Sequence, residues 1–177
     1  MTGGTAARIA HLANIAILVT LWMFALRVYD ALPGTIPIHF GADGAPNAWA
    51  SKSLGVWLLV PISALVMTGL LYLSSLLMAL ARERPNVVNL PRRLRDRFVK
   101  LTPERREPVI AIMRAMVFWI PVPMNALLLW IMFGIHRSVV ARAWIGSPGA
   151  PMAVFFASFA VLIAVFLVWT FRAIDRA

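Results

Sequence analysis

Residues 143–171 read AWIGSPGAPMAVFFASFAVLIAVFLVWTF, without one charged side chain. A helix needs roughly 20 apolar residues to cross the hydrocarbon core of a bilayer, and this run exceeds that. Three more uncharged stretches precede it, at Ile9–Leu26, Ser53–Ala81 and Ala115–Ile135. Lipid offers no partner for backbone N–H and C=O groups, so each stretch is read as a continuous helix. The spans are placed near 9–29, 54–81, 109–135 and 151–172. The fold class is therefore all-α: a four-helix transmembrane bundle in a single membrane domain, 1–177, with a folded extracytoplasmic loop at 30–53 and a basic inner segment at 82–108.

The composition agrees. Of 177 residues, 61% are apolar and 14% charged, against about half and a quarter in a soluble domain. That excess is more than one small core can bury. Cysteine is absent, which excludes thiol catalysis, disulfides and Cys-ligated metal. The formal charge of +10 is sorted by position along the chain. Nine of the cations lie between spans 2 and 3: Arg82, Arg84, Arg92, Arg93, Arg95, Arg97, Lys100, Arg105 and Arg106. The first loop has Lys52 near its end, and the third has Arg137 and Arg142. The positive-inside rule then puts both termini and the middle segment in the cytoplasm. The expected location is the bacterial inner membrane, with the first span retained rather than cleaved as a signal. Trp22, Trp49, Trp57, Trp130 and Trp144 suit an aromatic belt at the outer interface. The basic charge is thus an orientation signal. No nucleic-acid motif accompanies it, and no nucleic-acid partner is expected.

The first loop, YDALPGTIPIHFGADGAPNAWASK from Tyr29 to Lys52, is the most patterned part of the chain. Pro33, Pro37 and Pro46 break any helix. Ile36 to Phe40 favours extended backbone. Asp43-Gly44 signals a tight turn, and Pro46-Asn47 suggests another. Ile38, Phe40 and Trp49 are expected at the membrane surface.

Within that loop, Leu32, Pro33, Ile36, Pro37, His39, Phe40, Gly44, Pro46, Trp49 and Lys52 form a pattern. It resembles the loop of a domain of unknown function found in the SdpI family of bacterial membrane proteins. A second stretch, Asn89-Leu90-Pro91 followed by Leu101, Pro103, Glu104 and Arg105-Arg106, resembles that of the family's short members. The intervening RRLRDRFVK departs from the aromatic-rich stretch of many relatives. The resemblance implies an immunity protein against a secreted membrane-active toxin that also signals to a cytoplasmic repressor. Four spans are fewer than the resemblance implies for the longer member, whose additional helices are not expected here. On this reading His39, Phe40, Asp43, Trp49 and Lys52 form a ligand-binding set.

The residues leave other chemistry open. His39, Asp43 and His136 offer nitrogen and oxygen donors that suit zinc, which would make a metal-binding membrane enzyme. Against this, His39 can simply hydrogen-bond and pin its loop. No cofactor is called for otherwise. Pro121, Pro123 and Asn125 lie inside span 3, where a kink exposes carbonyls. They motivate a small transporter or channel component; the alternative is a packed kink satisfied by its neighbours. Asn14, Thr68 and Asn125 can link spans by hydrogen bonds. Ala153, Ala157, Ala160 and Ala164 make one small-residue face on span 4, suited to packing within the bundle or to an oligomer. Leu90, Leu94, Phe98 and Leu101 make the apolar face of a basic helix expected to lie on the anionic leaflet. Segment 82–108 is also the candidate docking site for a cytoplasmic partner. Thr102 is placed as the cap of the next helix, with Pro103 in its first turn. No catalytic motif is visible.

Overall fold

The computed structural model describes residues 3–140 and 148–177. Arg142 and Trp144 lie outside the described residues. Helix α1 (Gly3–Val28) leads into a hairpin of β1 (Thr35–Phe40) and β2 (Pro46–Ser51). Helix α2 (Leu54–Trp57) is one turn long and is followed by α3 (Leu59–Leu77), which tightens into a 3-10 turn at Met78–Arg82. A second 3-10 turn, Pro85–Val87, precedes α4 (Arg92–Val99). Helices α5 (Pro103–Trp119) and α6 (Pro121–Val140) form one divided span, and α7 (Gly149–Arg176) is the last. Among the described residues, four helical units are long and apolar enough to cross a membrane: Gly3–Val28, Leu59–Arg82, Pro103–Val140 and Gly149–Arg176.

The helices run past the apolar stretches because their ends pack on one another. At Gly3 an added Cβ would lie 2.9 Å from the Ala111 carbonyl, so the start of α1 rests directly on α5. Ser53 caps α2, accepting from the Val56 N–H at 3.2 Å, and Leu58 separates it from α3. Thr102 occupies the capping position of α5 with extended backbone, but its side chain makes no capping hydrogen bond. Pro121 divides the third span. Its ring nitrogen cannot donate to Val117, and the chain turns at Ile120 before α6 begins.

Inside lipid, association depends on close packing rather than on expulsion of water. The described contacts follow that rule. Ala6, Ala10, Ala25, Ala64 and Ala115 are wholly buried, and each allows a neighbouring backbone to approach. The small-residue face of α7 does the opposite of what intramolecular packing requires. Ala153, Ala157, Ala160 and Ala164 are all exposed, while Phe166, Thr170 and Ile174 are the buried residues of that helix. The bulky residues near its C-terminal end, not the alanines, hold α7 to the bundle.

The amphipathic helix α4 also departs from expectation. Its apolar face is not left to the leaflet. Leu94 and Phe98 join Val88 in a cluster with Ala81, Val109, Ile110, Met113 and Ile174. The physical reason is the length of α5 and α7, whose ends supply a protein surface for that face. Arg97 pairs with Asp175 of α7 and lies 5.6 Å from the Phe171 ring. The buried Arg106 guanidinium donates to the carbonyls of Arg82 (2.7 Å) and Val99 (2.9 Å). It thereby ties the ends of the 3-10 turn and of α4 to α5, where a cation complements the helix dipole.

Candidate functional site

Two arrangements bring polar chemistry together: the hairpin and a buried network beneath it. The hairpin follows from its turn. Gly44 has φ of 80°, which only glycine adopts without strain. Asp43 Oδ1 accepts from the Ala45 N–H at 3.0 Å, and the Gly44 N–H donates to the Gly41 carbonyl at 2.9 Å. Pro46 and Asn47, expected as a second turn, instead begin β2. A proline is tolerated there, at a strand's first position.

The strands are antiparallel, pairing Thr35 with Ser51, Pro37 with Trp49 and His39 with Ala48. Ile38 is the extra residue between the last two pairs, a bulge that re-aims side chains. Ile38 is 56% exposed and Trp49 52%. Ile36 points the other way and is buried with Leu21, Ala25, Leu32, Trp57, Ala64 and Met132. Trp57 belongs to this cluster rather than to an interfacial belt; its indole N–H donates to the Ala25 carbonyl at 2.8 Å. Lys52 anchors the hairpin base. Its ammonium donates to the carbonyls of Leu32 (2.9 Å) and Asp30 (3.2 Å) and sits 4.8 Å from the centre of the Tyr29 ring. Phe40 is half-buried opposite Pro46.

His39 is exposed, and its Nδ1 meets Oδ1 of Asn47. His136 is elsewhere in function: its ring packs edge-on against Phe24 at 5.2 Å. The proposed metal set of His39, Asp43 and His136 does not assemble, and no group of three metal-ligating His, Asp or Glu side chains forms among the described residues.

Beneath the hairpin, near the middle of the spans, Asn125 Nδ2 donates to Thr68 Oγ1 at 2.9 Å and to Asn14 Oδ1 at 3.1 Å. Asn14 Nδ2 donates in turn to the Phe118 carbonyl at 2.9 Å and the Tyr72 hydroxyl at 3.2 Å. Asn14 and Asn125 are both 1% exposed. Each amide therefore uses both of its hydrogens within the bundle. The network lies at the Pro121 break and joins α1, α3, α5 and α6. His11 stacks beside it, 4.3 Å from Phe118 and 4.9 Å from Tyr72 between ring centres. Pro123 lies on the far side of α6, against Trp130, Pro151 and Phe155. An amide pair so engaged stitches the spans together.

Sequence reasoning found the three polar residues but not Tyr72, Trp57 or Arg106. Tyr72 follows Thr68 by one helical turn, which is the signal that was there to use.

Four crossing-length helices define a polytopic membrane protein. Residues 15–64, from the middle of α1 through the hairpin and α2 into α3, match the model of a Domain of unknown function (DUF1648). An uncharacterized protein of Archaeoglobus fulgidus is 31% identical over 78 residues, 44% of this chain and 42% of that relative. The matched part thus spans less than half the length of the curated relative. No solved structure matches.

Proposed function

We propose that the chain is a recognition protein of the SdpI-like immunity and signalling type, whose hairpin binds a secreted membrane-active peptide on the outer face. It resides in the bacterial inner membrane with both termini in the cytoplasm. The observation that carries this reading is the exposed set Ile38, His39 and Trp49 on a hairpin fixed to the bundle by Ile36 and Lys52. Fixed, exposed apolar and aromatic groups suit recognition. The exposed ring of His39 offers hydrogen bonding to a peptide, and Trp49 supplies apolar contact. Lys52, Asp43 and Phe40 shape the hairpin around them. Segment 82–108 is the surface that passes the signal to a cytoplasmic partner.

The test is survival of host cells challenged with a panel of membrane-active peptides. Deletion of the gene is expected to sensitise cells. A His39→Ala, Trp49→Ala double variant at equal protein level is expected not to rescue them. Both residues are exposed, so the variant keeps the fold. Equal resistance of deletion and wild type across the panel removes the immunity reading, and full rescue by the variant removes the hairpin from it.

A further inference from the structure

At the end opposite the hairpin, an apolar cavity of about 630 Å³ opens between α3, α5 and α7. That volume falls in the range of roughly 300–1,000 Å³ typical of small-molecule sites. Met113, Met116 and Ile120 line it along about 10 Å of α5. Its flanks, Leu77 of α3 and Leu167 of α7, are 61% and 39% exposed. On residues that face the bilayer, this makes the cavity a slot open sideways to lipid. Toward the basic segment it ends at Asn89-Leu90-Pro91.

The cations that follow this end of the slot are not all alike. Arg97 is engaged by Asp175, Arg106 by two carbonyls, and Arg82 by Glu83 at 3.8 Å. Arg92 and Arg93 come directly after Pro91 and are exposed. Neither forms an ion pair among the described residues, and Asp96, the only carboxylate of α4, pairs with neither; Arg84, Arg95, Lys100 and Arg105 form none either, but Arg92 and Arg93 are the pair that adjoins Pro91 at the slot's end. An apolar slot with uncompensated guanidinium groups at its end is complementary to an anionic amphiphile. Guanidinium recognises phosphate through paired, charge-assisted hydrogen bonds.

We propose that the slot holds an acyl chain of one anionic phospholipid, with its phosphate held at Arg92 and Arg93. The lipid fills the space between α3, α5 and α7 and secures α4 against them. This site is independent of the hairpin and of any toxin.

The test is native mass spectrometry of the protein released from bilayers of equal phosphatidylglycerol and phosphatidylcholine. Wild type is expected to retain one phosphatidylglycerol in preference. Arg92→Gln with Arg93→Gln is expected to weaken retention roughly thirtyfold, from the loss of two basic groups at an anionic surface. Leu167→Trp, which fills the slot from an exposed position, is expected to do the same. Arg92→Lys with Arg93→Lys keeps the charge and most of the binding. Equal retention of both lipids overturns the proposal. So does retention unaffected by Leu167→Trp, which would leave only a surface phosphate contact, or unaffected by the double glutamine change, which would leave only chain packing.

Discussion

Asn125 donates both amide hydrogens to residues on other spans, and Asn14 does likewise. Hydrogen bonds between membrane helices are worth about 0.6 kcal/mol on average and at most about 2. A buried group left without its partner costs about 1–3 kcal/mol. Asn125→Leu is therefore expected to destabilise the bundle by about 1–3 kcal/mol, because Asn14 Oδ1 and Thr68 lose their donor. Asn14→Leu removes more bonds and costs more. The double change is expected to fall short of the sum by about 0.5–1.5 kcal/mol, since the two share a bond. Thermal unfolding in detergent measures all three, and strict additivity would show that the two amides do not act together. These asparagines were legible in sequence because a polar side chain deep in a span has few partners but another polar group. Lys52 and Arg106 were not. Lys52 reads as one of a ligand-binding set and Arg106 as one cation of the basic segment, and their acceptors are backbone carbonyls that no residue type advertises.

Among the elements, α4 tests how a short amphipathic helix chooses its surface. Phe98 is wholly buried and Leu94 nearly so, against α5 and the end of α7. A helix resting on lipid would lose little protein stability on truncation of Phe98. A docked one forms a cavity, at about 3–5 kcal/mol for a buried Phe→Ala change. Phe98→Ala is therefore expected to release the segment, seen as faster tryptic cleavage at Arg93, Arg95 and Arg97. Arg97→Gln, at a half-exposed ion pair, is expected to cost less than about 1 kcal/mol and, beyond removing its own site, to change cleavage at Arg93 and Arg95 little. Unchanged cleavage in Phe98→Ala would return α4 to the leaflet. The apolar face itself was readable from the spacing of Leu90, Leu94, Phe98 and Leu101. Its target was not, because Ile174 lies far along the chain and its contact is set by helix length. The hairpin shows the same division. Asp43-Gly44 announced the turn, whereas the bulge at Ile38 and the strand at Pro46 depend on pairing across it.

For the whole molecule, the four crossings bring both ends of the chain to the basic segment. Gly3 lies on Ala111, Ile174 packs with Val109, and Asp175 meets Arg97. The hairpin is fixed at the other end by Leu21, Trp57 and Met132. Internal geometry thus separates the ends without saying which faces the cytoplasm; the asymmetry of Lys and Arg is the ground for the orientation proposed. The absence of native cysteine makes the orientation directly measurable. Gly34, beside the hairpin, and Gly4, in the first turn of α1, each have open space where a Cβ would go. Gly34→Cys is expected to react with a membrane-impermeant maleimide in intact cells, and Gly4→Cys only after the membrane is opened. The reverse pattern would place nine of the chain's cations outside, against the membrane potential and away from anionic lipid. It would also remove the hairpin from any peptide arriving from outside. Labelling at both sites in intact cells would require an even number of crossings between them, which an uninterrupted α1 of 26 residues allows only if it lies on the membrane rather than through it. Its buried contacts at both ends, Ala6 with Trp119 and Ala25 with Trp57, oppose that arrangement and make the one-sided result the expected one.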